Sequence, residues 1–123
     1  MVMVDTSIWV DHLREGSHHL EELLLDTKVV CHPFIVGELA CGNIKNRNEF
    51  LSLIQTLPVA PVIDLDEFLY FIDQNRLMGK GIGFVDVHLL ASALLSEMPL
   101  WTSDKKTTIS INRTQYSLQV TRP

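Results

Sequence analysis

Met1-Val2-Met3-Val4-Asp5-Thr6-Ser7 opens the chain with a short apolar run, broken by three residues that favour helix N-caps. The run has neither the length of a membrane span nor the basic flank and long apolar core of a signal peptide. It reads as a buried strand that passes directly into a helix reaching about Arg14. Outward from there the pattern repeats. Ser17 can cap a second helix whose apolar stripe is Leu20, Leu23 and Leu24, and the β-branched pair Val29-Val30 marks a strand over 28–31. Pro33 opens a helix containing Phe34, Ile35, Glu38 and Leu39, closed near Gly42-Asn43, and another helix follows over 48–55. Residues 58–63 form a weaker strand candidate, because Pro58 and Pro61 suit only a sheet edge. Asp64 can cap a long helix over 65–78, the stretch 79–83 is a glycine-rich loop, and Asp86 begins an apolar helix running to Ser96. A strand over 99–102 ends near Asp104, and 117–121 alternates like a last strand.

Strands separated by helices predict an α/β fold with a mostly parallel sheet. In such sheets ligands bind beyond the carboxyl ends of the strands. Asp5 and Asp104 both fall just past such an end. The 123 residues suit one domain, and 46% hydrophobic with 20% charged residues is a globular balance. A cytoplasmic protein without a membrane segment is expected. Two cysteines, Cys31 and Cys41, are too few for a disulfide framework, and no CxxC pair supports a zinc site. The net charge of −5 argues against a broad electrostatic grip on nucleic acid, unless the negative charge is gathered where a cation neutralises it. It also suits a basic protein partner.

Four acids stand out: Asp5, Glu38, Asp86 and Asp104. Each has a plain alternative. Asp5 and Asp86 can cap the helices they precede, Asp104 can belong to a turn, and Glu38 can sit harmlessly at the edge of its helix's apolar stripe. Together they suggest more, because converged carboxylates repel one another and raise their own pKa values unless a cation lies among them. Oxygen ligands without an accompanying histidine favour Mg²⁺ or Mn²⁺ over zinc. Such ions bind substrate phosphate and activate water.

The opening Met3-Val4-Asp5-Thr6-Ser7-Ile8-Trp9-Val10-Asp11, the mid-chain Val36-Gly37-Glu38-Leu39, Phe84-Val85-Asp86-Val87-His88-Leu89-Leu90-Ala91-Ser92-Ala93 and Leu100-Trp101-Thr102-Ser103-Asp104-Lys105 together resemble the PIN domain. Within that family they resemble the VapC-type toxins of bacterial toxin–antitoxin pairs, in order and spacing over nearly the whole chain. The resemblance implies a parallel five-stranded sheet with helices on both faces and an endoribonuclease that uses a divalent metal. It carries the acidic positions onto Asp5, Glu38, Asp86 and Asp104, and small polar positions beside them onto Thr6 and Thr102. RNA as substrate, a homodimer and an antitoxin whose tail blocks the site are implied as well. One departure is the polar stretch 107–115, which lacks the short apolar helix the family often has there.

Other features read less sharply. Arg76 and Lys80, in the loop ahead of Asp86, and Lys105 and Lys106, beside Asp104, can touch an RNA backbone or simply be solvated. His12, His18, His19, His32 and His88 have no convincing partner and are left outside the site. Trp9, Phe34, Phe68, Phe71 and Trp101 read as core packing. Ser7 has no histidine base, which speaks against a serine hydrolase. A receiver-like signalling module using the acids only to bind metal, a DxD phosphatase, a non-catalytic module of the same fold and a structure-specific DNA nuclease are the rivals. Mutual repulsion among the acids leads to the expectation that Asp5→Asn stabilises the metal-free protein.

Overall fold

The computed structural model describes residues 1–104. The expected last strand over 117–121, the polar stretch 107–115 and Lys105 and Lys106 lie outside the described residues. Strand β1 (Val2–Val4) passes into α1 (Thr6–Glu15), α2 (His18–Leu25) and β2 (Val29–Val30). Helices α3 (Pro33–Ala40), α4 (Arg47–Ile54), α5 (Leu65–Asn75) and α6 (Phe84–Leu95) then precede β3 (Leu100–Trp101).

The sheet order is β2-β1-β3, and both pairings are parallel, with Met3 opposite Val30 on one side and Val4 opposite Trp101 on the other. Central β1 is buried along its whole length, as expected of a parallel strand covered on both faces. Met3, Leu20, Ile35, Leu39, Leu89, Leu90 and Leu100 are fully buried around it, and a smaller cluster of Ile63, Phe68, Leu77, Val87 and Ala91 joins α5 to α6.

Among the described residues the sheet has three strands; of the five expected, one lies outside those residues. The candidate at 58–63 makes only a single bridge, Cys31 with Val59, through Cys31 N–H to the Pro58 carbonyl and Ala60 N–H to the Cys31 carbonyl. Pro58 and Pro61 lack the amide donors that would lengthen it.

The helix starts follow local chemistry. Ser17 caps α2 by accepting from Leu20 N–H, and Asp64 with Glu67 forms a reciprocal capping box on α5. Two ends differ from expectation. Helix α5 stops at Asn75 rather than 78, because Arg76 turns left-handed (φ 50°) and Leu77 N–H closes back on the Ile72 carbonyl while its side chain buries. Helix α6 starts at Phe84 with Gly83 as N-cap, so Asp86 lies inside the first turn and does not cap it. Among the described residues no helix is long and apolar enough to cross a membrane.

Candidate metal centre at the carboxyl end of the sheet

The register that pairs Val4 with Trp101 leaves Asp5 and Thr102 side by side where two adjacent strands end, and Asp5 N–H closes the pairing on the Trp101 carbonyl (2.9 Å). Asp5 is 4% exposed, and its carboxylate accepts three hydrogen bonds. Oδ1 accepts from Thr6 N–H (2.7 Å); Oδ2 accepts from the Ser7 hydroxyl (3.0 Å) and the Thr102 hydroxyl (2.7 Å). Asp5 therefore caps α1 and, by the same carboxylate, is tied to the turn beyond β3 at the carboxyl end of the sheet.

The same two hydroxyls reach onward. Thr102 Oγ1 accepts from Asp104 N–H (3.0 Å) and Ser7 Oγ from Ser103 N–H (3.2 Å), so the turn carrying Asp104 hangs from Asp5 through two side chains. On the other side the Thr6 hydroxyl donates to Glu38 Oε1 at 2.6 Å, tying the first turn of α1 to α3. Glu38 is exposed, which corrects any thought of a buried acid on the apolar stripe.

Asp86 completes the group. Its carboxyl is pushed up to about 7, first by burial and then by the charges of Asp5, Asp104 and Glu38, with a side-chain hydrogen bond to Asp104 adding to the effect. Two carboxyls share such a bond only when one keeps a proton. Asp5, Asp104 and Glu38 thus all act on Asp86, and none of Asp5, Glu38 and Asp86 has a lysine or arginine ion pair among the described residues. Arg76 and Lys80 are exposed and make no such pair.

Among the described residues no three His, Cys, Asp or Glu side chains stand close enough to grip an ion as they are placed. Thr6 and Thr102 hold Glu38 and Asp5 to protein donors instead. The donor set still fits a hard divalent cation: oxygen only, with Asp86 kept protonated near neutrality first by burial and then by the charges of three neighbouring acids.

Three residues were missed in the sequence. Ser7 is a bridge and not a nucleophile, which two hydroxyls directly after a strand-end acid would have signalled. His32 N-caps α3 by accepting Phe34 N–H on Nδ1 (3.0 Å), a role its place before Pro33 allows. His88 is buried on α6 among Phe34, Phe68 and Phe84. Burial, followed by the charge of His88, lowers His32 to about 4, and burial lowers His88 as well. No local sequence signal pairs these two rings.

The PIN domain family matches residues 2–110. Ribonuclease VapC32 of Mycobacterium tuberculosis, in both strains compared, is 46% identical over 107 residues, covering 86% of each chain. Among solved structures, VapBC-1 from nontypeable Haemophilus influenzae superposes with a TM-score of 0.67 at 19% identity, covering 96% of this chain and 98% of that one. FitAcB from Neisseria gonorrhoeae gives 0.66 at 16% identity, covering 100% and 98%. DNA-bound VapBC from Salmonella typhimurium gives 0.65 at 18% identity, covering 92% and 93%. At these identities the structures speak for the fold alone.

Proposed function

Because the chain belongs to the PIN-domain family, we propose that it is a VapC-type ribonuclease, the toxin of a toxin–antitoxin pair, which hydrolyses RNA internally with Mg²⁺ or Mn²⁺. The single observation that carries the metal is Asp86, held near 7 by burial and by three neighbouring carboxylates. Asp5, Glu38, Asp86 and Asp104 would hold the cation. When bound, it supplies neutralisation of the phosphate and activation of the attacking water.

The remaining work falls to the chain itself. Thr6, Ser7 and Thr102 occupy protein-facing lone pairs of Asp5 and set its orientation before any ligand arrives. Thr102 also holds the backbone beside Asp104, so it positions two acids at once. Asp86 must give up its proton as the cation enters, which couples loading to pH.

The partner reading rests on charge. A net charge of −5 and an acidic cleft suit a partner that inserts an arginine, by bidentate pairing with a carboxylate. The relatives named VapBC and FitAcB were solved as assemblies of this toxin–antitoxin kind. Exposed Leu65, Leu69 and Tyr70 on α5 offer apolar surface for the antitoxin or for the second copy of a homodimer. The same reading has the protein working inside the cell, on the cell's own RNA.

Purified protein is expected to cleave RNA only with Mg²⁺ or Mn²⁺ and to stop when chelator is added. The products should carry 5′-phosphate and 3′-hydroxyl ends, as attack by water requires. Full cleavage in excess EDTA, or 2′,3′-cyclic phosphate ends, would replace this reading with metal-free attack by the ribose hydroxyl.

A further inference from the structure

His32 and His88 are 0% and 4% exposed, and each leaves one ring nitrogen buried without a protein partner: Nε2 of His32 and Nδ1 of His88. Buried polar atoms in native proteins are nearly always satisfied, and internal water is the usual means where protein groups fall short. The two rings share one aromatic pocket. Phe34 meets His32 edge-on at 5.1 Å and His88 edge-on at 4.7 Å, while Phe68 stacks on His88 at 4.5 Å and Phe84 meets it edge-on at 4.6 Å.

Their hydrogen-bonding senses match. His32 Nδ1 accepts the Phe34 amide, so the proton of the neutral ring sits on Nε2, which is a donor. His88 Nδ1 can serve as an acceptor when that ring carries its proton on Nε2. A water between them receives from one and donates to the other. Each histidine is also rigidly tied to an acid of the candidate centre. His32 is the N-cap of the helix that carries Glu38, and His88 lies in the same helix as Asp86, two residues beyond it.

We propose that one internal water joins His32 Nε2 to His88 Nδ1, and that this link makes both histidines positioning residues that set Glu38 on α3 against Asp86 on α6. The link rests on nothing but the buried rings. The positioning role rests on the metal-centre reading above. Both rings are buried, so the link is held in a low-dielectric setting where losing one partner leaves the other stranded.

Long-range ¹H–¹⁵N spectra of the histidine rings test the link in the unmodified protein. His32 should show the Nε2-protonated tautomer with a slowly exchanging ring N–H, and His88 an unprotonated Nδ1. The opposite tautomer in either ring, or exchange at His32 as fast as at an exposed histidine, overturns it. The positioning role is read from His32→Asn, which keeps a capping side chain, from His88→Leu, and from the double variant. Mn²⁺ binding is followed by electron paramagnetic resonance, and RNA cleavage is followed separately. Each single variant should weaken Mn²⁺ binding by about tenfold, the scale of supporting hydrogen bonds around metal sites. Each should lower kcat with KM nearly unchanged, and the double variant should be no worse than the weaker single. Folded variants with unchanged Mn²⁺ affinity, or strictly additive losses, overturn the positioning role. Absence of Mn²⁺ binding in the unmodified protein would sink the metal centre itself, leaving the ring spectra to decide the histidine link.

Discussion

Asp5 accepts three hydrogen bonds, and that changes what its substitution does. Repulsion alone predicts that Asp5→Asn relieves the metal-free protein. The geometry predicts the reverse, because an asparagine amide placed at Oδ2 faces the Ser7 and Thr102 hydroxyls, or at Oδ1 the Thr6 N–H. One donor must then go unsatisfied in a buried place. We expect a loss of about 1–2 kcal/mol in EDTA by urea unfolding; a variant more stable than the parent would restore the repulsion argument. A gain from losing a charge belongs instead to Asp86, whose carboxylate is disfavoured first by burial and then by its acidic neighbours. An acid raised from 3.8 to about 7 keeps its proton in the folded protein while the unfolded chain has lost it. Metal-free stability therefore falls as pH climbs through that window, and the full cost is present above it. Asp86→Asn should gain on the order of 2 kcal/mol at pH 8 once counterions take their share, and almost nothing near pH 4. Equal effects at both pH values would show that Asp86 titrates normally.

At the scale of the element, the N-cap of α1, helix α3 and helix α6 each carry one of the acids while α5 carries none, which makes α5 a clean control. Its start is held by the reciprocal bonds of Asp64 and Glu67, Glu67 N–H donating at 2.8 Å and Asp64 N–H at 3.0 Å. Asp64→Ala should cost about 1 kcal/mol of stability, yet leave Mn²⁺ binding and RNA cleavage where they were. A loss of metal affinity in that variant would mean that α5 and the cleft are coupled more tightly than the described contacts indicate. Helix starts were legible in sequence because a cap is a local event, as Ser17, Pro33 and Asp64 show. The end of α5 was not, since an arginine in the left-handed region has no glycine to announce it and is held by burial of Leu77.

For the whole molecule, stability, metal and pH should move together. In the proposed metal centre Asp86 releases its proton to admit a cation, so Mn²⁺ should raise the melting temperature more at pH 8 than at pH 6. With free Mn²⁺ at about a hundred times its Kd, the gain is about 2.7 kcal/mol for a ligand that binds only the folded state. Thermal scans in matched buffers, with EDTA as the reference, measure it directly. A metal-induced shift that is the same at both pH values would remove Asp86 from the ligand set. A larger shift at pH 6 would do so as well.

The sequence by itself determined the α/β alternation, the buried first strand and most helix starts, and it singled out the four acids proposed as the site. All of these are written in short-range periodicity, capping chemistry or motif spacing. Only the tertiary structure decided how the acids are held. Thr102 meets Asp5 across 97 positions and Thr6 meets Glu38 across 32, separations that no local pattern encodes. It also decided that 58–63 forms a bridge and not a strand, since two prolines allow an edge but only the neighbouring backbone shows how much of it pairs. The pairing of His32 with His88 was invisible for the same reason. A ring's environment is made by the elements that fold around it, and here those elements are α3, α5 and α6.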